Sequence, residues 1–174
     1  MEETVTTKTL HRGRNFSFKT DQVRLAGDKL VTRDIVDHPG AVAIVAVDGF
    51  ELVLVRQYRY AAGRELLEIP AGTLEPGEEP DACAVRELQE ETGYTAQRWR
   101  KLLCCYMAPG YSSEVIHIYV AEDLNSVASN PEEDESIKVE RLGFNEAIKM
   151  IEDNVIMDAK TITGILAYLT KSAL

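Results

Sequence analysis

The sequence predicts a layered domain of the α/β or α+β class, with an antiparallel β extension at its N-terminus. Three observations carry this. Strand-like runs and segments of helical period interleave along the chain after residue 40. The aliphatic runs "AVAIVAV" (41–47) and "ELVLVRQYRY" (51–60) flank "DGF", the pattern of an apolar hairpin closed by an Asp-Gly turn. Residues 1–37 alternate polar and apolar in short pieces broken by "HRGRN" and "LAGDKL", which predicts two to four antiparallel strands. With 174 residues and 45% hydrophobic content, the chain can build one main core and a small appendage.

His38-Pro39-Gly40 punctuates the chain and divides an extension, 1–37, from a main domain, 38–174. After the hairpin, "ELLEIP" (65–70) reads as a short strand and "AGTLEPGEEPD" (71–81) as a loop whose glycines and prolines exclude a continuous helix. A helix is predicted from Pro80 to Thr92, with proline tolerated in its first turn and Gly93 as its stop. On a helical wheel Ala82, Val85 and Leu88 form the packing face, and Glu87, Glu90 and Glu91 look outward. "RKLLCCYM" and "VIHIYVAE" follow as strands around "APGYSSE". An acidic loop, "NSVASNPEEDES", then leads to a strand at "IKVERLGF" and to two amphipathic helices near 145–153 and 159–171. Asp158 is placed to cap the last helix.

Composition excludes several classes. Nineteen Lys and Arg against 29 Asp and Glu give a formal net charge of -10, unsuited to a protein that binds nucleic acid by neutralising phosphates. The longest aliphatic run is far too short to span a membrane, and the N-terminus lacks a signal-like apolar stretch. The cysteines, Cys83, Cys104 and Cys105, form neither a disulfide framework nor a zinc motif, so a reducing cytoplasm is expected and the thiols are read as small buried hydrophobes. His11, His38 and His117 have no ligand spacing and are read as structural or surface residues. Trp99 is expected against the 80–92 helix or at an interface.

"VRELQEETGY" (85–94) is the informative stretch. Like charges three and four residues apart destabilise a helix by about 0.2–0.5 kcal/mol per pair, and anions in the last turn oppose the helix dipole by a further ~0.3–1 kcal/mol each. Hard divalent cations such as Mg²⁺ take oxygen ligands from a few carboxylates together with substrate phosphates, so a bound ion would reverse that cost. Glu87 and Glu91, four apart on one side, are the first-choice metal ligands, with Glu90 as a third carboxylate of the catalytic set.

The spacing extends beyond the helix. Gly72, five residues, Glu78, seven residues, Arg86-Glu87-Leu88, one residue, Glu90-Glu91, one residue and Gly93 match every fixed position of the signature of the Nudix hydrolase superfamily, which the chain resembles. Seven required identities at about 7% each, plus the permissive aliphatic site at Leu88, would arise by chance on the order of once in a million chains of this length. Tyr94 departs from the usual aliphatic residue after the final glycine, which alters packing rather than chemistry. "HPGAVAIV", "VRQYRYAAGRELLEIPAGTLEPGE" and Pro109, sixteen positions after Gly93, resemble more narrowly the ADP-ribose pyrophosphatase group.

The resemblance implies an α/β/α sandwich around a mixed sheet and hydrolysis of a nucleoside diphosphate linked to another moiety, with Mg²⁺ or Mn²⁺ as cofactor. It implies the backbone carbonyl of Ala71 as a further metal ligand, Arg86 pairing with Glu78 beside the catalytic carboxylates, and Arg59 on the substrate's phosphates. Residue-wise match assigns Glu133 as general base and Glu135 as an additional metal ligand, with Glu114 as the rival base. Pro109 and Tyr111 are assigned to substrate, and Tyr111, Phe16 and Phe18 are candidates to stack on adenine. In the resembling group the N-terminal extension builds a homodimer that shares its sites, which would bring Arg33 and Asp37 to the nucleotide.

Overall fold

Strand β4 (Ala41–Asp48) is the axis of the fold, and every residue in it from Ala41 to Val47 is buried. A strand this uniformly apolar is covered on both faces. In the computed structural model, which describes residues 2–128 and 137–172, Ala41, Ala43, Val45 and Val47 pack toward one layer and Val42, Ile44 and Ala46 toward the other. The first layer holds α2 (Phe144–Glu152) and α3 (Ala159–Ser172), through Ala147 and Ile165. The second is α1 (Pro80–Thr92), through Cys83, Ala84 and Leu88. The result is the α/β/α sandwich.

The central sheet is mixed. β4 runs parallel to β9 (Val115–Ser126), which pairs antiparallel with the long β8 (Tyr94–Tyr106). On the other side lie β5 (Glu51–Arg59) and β10 (Ile137–Gly143), antiparallel to each other, with β6 (Arg64–Glu68) on β5 and β7 (Ala71–Thr73) on β4. A separate antiparallel sheet of β1 (Glu3–Arg12), β2 (Ser17–Arg24) and β3 (Leu30–Asp37) forms the N-terminal extension, within the two to four strands that the alternation predicts.

The hairpin at Asp48-Gly49-Phe50 has the expected turn but not the expected length. Only Ala46–Asp48 of β4 pair with Glu51–Val53 of β5. Beyond that the two strands diverge: Ala41–Ala43 take β7 as partner, while Val55–Arg59 take β6. The Ile44 amide, which a continuous hairpin would bond to β5, donates instead to the Pro70 carbonyl at 2.8 Å. The stretch read as pure loop therefore contains strand β7, and the gap between β4 and β5 becomes the wall of a cavity.

The packing phase of α1 also differs from the wheel. Ala82 is exposed and Val85 is 43% exposed, whereas Cys83, Ala84, Leu88 and Glu91 are buried. Small Cys83 and Ala84 let the helix lie close to β4, and that contact outweighs burial of the larger Val85. Trp99 packs on this same cluster, its indole N–H donating to the Ala96 carbonyl at 3.1 Å. Of the cysteines, Cys83 is buried but Cys104 is exposed, so the small-hydrophobe reading fails for Cys104. Among the described residues no helix is long and apolar enough to cross a membrane.

Candidate active site

The diverging strands, the β7 loop and the polar side of α1 enclose a cavity of about 910 Å³. Gln57 and Arg59 reach it from the end of β5, and Ala71–Pro76 form one wall. Arg86, Glu87 and Glu90 face it from α1, Met107 and Glu114 from the segment between β8 and β9, and Asp158 and Lys160 from the start of α3. Arg14 and Asn15, in the turn between β1 and β2, also line it, so the N-terminal extension already contributes to the site within one chain.

Arg86 is the hub of the acidic helix. It grips Glu78 with two hydrogen bonds, at 2.9 and 3.0 Å, and donates to Glu87 at 2.7 Å and to Glu90 at 2.9 Å. The expected Arg86–Glu78 pair thus widens to three carboxylates, and the repulsion counted from the sequence is offset within the chain. The hydrogen bonds from Arg86 hold the Glu78 carboxyl down to about 2, against a smaller opposing effect of burial. Glu78 also accepts the Glu75 amide at 2.9 Å, which pins the loop to the helix. Burial, with Glu78 nearby, pushes the Cys83 thiol up to about 12, so it is not a nucleophile.

Glu91 does not look outward as the wheel implies: it is 6% exposed, and its carboxylate accepts the Ala71 amide at 2.9 Å. That bond holds β7 on the last turns of the helix. Gly72 is required for another reason. A Cβ built there would lie 1.9 Å from the Glu87 carboxyl carbon, so the missing side chain makes the space that Glu87 fills. Gly93 ends the helix with φ 70°, its amide returning to the Gln89 carbonyl.

The donor chemistry fits a hard divalent cation: Glu87, Glu90 and the Ala71–Thr73 backbone share one wall, and all are oxygen donors. Among the described residues no three His, Cys, Asp or Glu side chains are arranged so as to hold one metal ion together. Arg86 holds Glu87 and Glu90, and the Ala71 amide holds Glu91, in other directions. Glu133 and Glu135 lie outside the described residues.

Arg59 belongs to a second charged cluster. It donates to buried Glu68 through two nitrogens, each at 2.8 Å, and Lys160 donates to the same carboxylate. Lys160 also pairs with Asp158 at 3.0 Å. Asp158 caps α3 as expected, accepting the Thr161 amide at 2.9 Å and its hydroxyl at 2.5 Å, and Thr161 in turn accepts the Ile69 amide at 2.9 Å. Burial opposes ionisation of Glu68, but Arg59 and Lys160 outweigh it and hold its carboxyl below the usual range. No motif marks Lys160 or Gln57, and sequence reasoning finds neither.

Four substrate candidates do not line this cavity: Arg33, Asp37, Pro109 and Tyr111. Arg33 pairs with Glu2 at 2.8 Å and Asp37 with Lys19 at 3.1 Å, both on the N-terminal sheet. Phe16, in the turn between β1 and β2, and Phe18, on β2, are 47% and 36% exposed. The Pro109–Glu114 turn is stitched to β3: the Val36 amide donates to the Tyr111 carbonyl at 2.8 Å and the Ser113 amide to the Val36 carbonyl at 3.0 Å. The Ser113 hydroxyl accepts the His38 amide at 2.8 Å, and the turn so fixed presents Glu114 to the cavity.

The chain is 39% identical to an ADP-ribose pyrophosphatase of Bacillus subtilis (strain 168) over 176 residues, covering 99% of this chain and 95% of that one. It is 41% identical to an ADP-ribose pyrophosphatase of Mycobacterium tuberculosis (strain ATCC 25618 / H37Rv) over 170 residues, with 95% and 82% covered. A solved structure described as an ADP compounds hydrolase superposes with a TM-score of 0.85 at 24% identity, covering 97% of this chain and 92% of that one, and so shares the fold. Residues 37–163 match the NUDIX domain, and the chain belongs to the NUDIX family.

Proposed function

We propose that this protein is a pyrophosphohydrolase that cleaves ADP-ribose to AMP and ribose 5-phosphate with Mg²⁺ or Mn²⁺ as its cofactor. The observation that carries the reading is the shared cavity, which sets Glu87 and Glu90 and the cation Arg59 around one space of about 910 Å³. That volume is in the range of pockets that enclose a ligand of nucleotide size. The ADP-ribose pyrophosphatases that resemble the chain over most of their length support the substrate.

A bound divalent ion polarises phosphoryl oxygens and lowers the pKa of its water, and Glu87, Glu90, Glu91 and the Ala71 carbonyl are the donors that would hold it. The chain supplies the rest. Arg59 orients the diphosphate by a bidentate contact that lysine cannot make. Arg86 keeps the carboxylates gathered and the loop closed on the helix. Glu133 is assigned to take the proton of the attacking water, with Glu135 as a further metal ligand. Support for this comes from Ile137, the first residue of β10, which pairs with cavity-lining Gln57. Glu114 is the competing base, and it lines the cavity.

The extension, residues 1–37, is read as a dimerisation element that brings Arg33 and Asp37 to a partner's nucleotide. Val5, Leu10, Phe16 and Leu30 of the extension are 44–54% exposed, apolar side chains that a partner could cover. Free cysteines agree with a reducing cytoplasm.

Product analysis on a panel of nucleoside diphosphate derivatives with Mg²⁺ tests the assignment. AMP and ribose 5-phosphate should form fastest from ADP-ribose. Faster cleavage of another nucleotide sugar or a dinucleoside polyphosphate would replace the substrate, and tight binding without products would make the protein a sensor. Sedimentation at micromolar concentration should give twice the chain mass of 19.4 kDa, and a monomer would remove Arg33 and Asp37 from the site.

A further inference from the structure

Two cations in the cavity share one buried anion. Glu68 is 1% exposed and takes two nitrogens of Arg59 and the ammonium of Lys160. Asp158, the second anion of the cluster, pairs with Lys160 and is offset only in part from elsewhere. It caps α3 through the Thr161 amide and hydroxyl, at the end of the helix where the dipole amounts to roughly half a positive charge. Were Arg59 the sole counter-ion of Glu68, the pair would be neutral and would present little field to an incoming anion. With Lys160 present, the two cations match Glu68 and Asp158 in number and the helix end adds about half a positive charge, whereas without Lys160 the cluster would be net negative. On a chain of formal net charge -10, such a local excess is what an anionic substrate needs.

The placement of Lys160 suits direct contact as well. Its side chain is 12% exposed and lines the same cavity as Arg59, Glu87 and Glu90. An ammonium has three donors. Among the described residues its partners are Glu68 and Asp158.

We propose that Lys160 is an anion-binding residue of this site, the counter-cation that lets buried Glu68 fix Arg59 without cancelling its charge, so that both cations face the substrate's diphosphate. The proposal rests on the pyrophosphatase reading. It brings to the site a residue of α3, 73 positions beyond Glu87 in the chain and outside any motif.

Calorimetric binding of inorganic pyrophosphate to the full chain in the presence of Mg²⁺ tests it. Lys160→Gln keeps a hydrogen-bond donor and removes the charge, and affinity should fall about tenfold, equivalent to about 1.4 kcal/mol, with a flatter dependence on salt. Lys160→Arg should bind close to the parent. The double variant Glu68→Gln/Lys160→Gln separates charge from packing. It returns Arg59 to an uncancelled state, so affinity should recover relative to Lys160→Gln, whereas two packing defects would compound. Unchanged affinity in Lys160→Gln, a Lys160→Arg variant as weak as Lys160→Gln, or a double variant weaker still overturns the proposal. If Lys160→Gln fails to show a thermal unfolding transition, Lys160→Arg and the double variant are compared with the parent instead: affinities near the parent's uphold the proposal, and a tenfold loss in either overturns it. Turnover of ADP-ribose by the parent is read separately: its absence sinks the substrate assignment, while pyrophosphate binding still reports on the charge arrangement.

Discussion

Gly72→Ala should separate the stability of the fold from the chemistry of the site. The new Cβ would lie 1.9 Å from the Glu87 carboxyl carbon and from one of its oxygens, and 2.4 Å from the other, all far inside van der Waals contact. The backbone at Gly72 needs no left-handed conformation, so the obstacle is space alone. The atoms in the way are the far end of a flexible side chain, and Glu87 can swing clear. Doing so breaks its 2.7 Å contact with Arg86, which keeps Glu78 and Glu90. A single charged contact of this kind is worth about 1 kcal/mol, or roughly 2–4 °C in Tm for a domain of this size. The effect on metal should be larger, because Glu87 is an assigned ligand: even disturbing an outer partner of a ligand costs about 10–100-fold in affinity. Differential scanning calorimetry and titration with Mg²⁺ read the two quantities on one sample. Gly110→Ala, where a Cβ meets nothing within 4 Å, is the control and should change neither. A Gly72→Ala protein with the parent's Mg²⁺ affinity and turnover would refute the assignment of Glu87, and a collapse of Tm would refute the view that only the side chain must yield.

Glu91→Gln can still accept the Ala71 amide, so the fold should persist while turnover falls below detection; circular dichroism and an assay for AMP measure the two together. Glu133→Gln should slow hydrolysis and leave metal affinity near the parent's, with Glu114→Gln as the comparison; the variant with the larger drop in kcat at saturating metal identifies the base. Burial pushes the Glu68 carboxyl up, but Arg59 and Lys160 together outweigh it and hold the group below its ordinary 4.5, so its stabilising contribution is complete above that value and is lost as pH falls toward the folded one. Lys160→Gln weakens that hold and should move the acid unfolding transition to higher pH, followed by ellipticity; a transition at the parent's pH would show that Glu68 does not govern it.

Local chemistry is the readable part of the sequence. Gly93 as a helix stop and Asp158 as a cap are decided by one or two residues each, and both are in place. The Nudix signature is equally local: Arg86 gathers three of its carboxylates, Glu78, Glu87 and Glu90, while Glu91 turns to the Ala71 amide. The wheel misplaces the phase of α1 because it weighs residue size, while the helix follows the close contact that Cys83 and Ala84 permit. The divergence of β4 from β5 is invisible for a different cause: two apolar strands around an Asp-Gly turn look the same whether they pair along their whole length or separate after three residues. Lys160 escapes sequence reasoning because its partner, Glu68, is 92 residues away and no spacing rule connects them.

The backbone clip between Val36 and the Tyr111–Ser113 turn bears on how the chain can be shortened. A protein beginning at His38 would retain every carboxylate of the signature, yet it would lose the strand that orients the segment leading into Glu114 and the Arg14-Asn15 corner of the cavity. Such a truncation should harm recognition of the substrate before it harms the hold on the ion. The first three strands are better regarded as the back plate of the pocket than as a detachable handle.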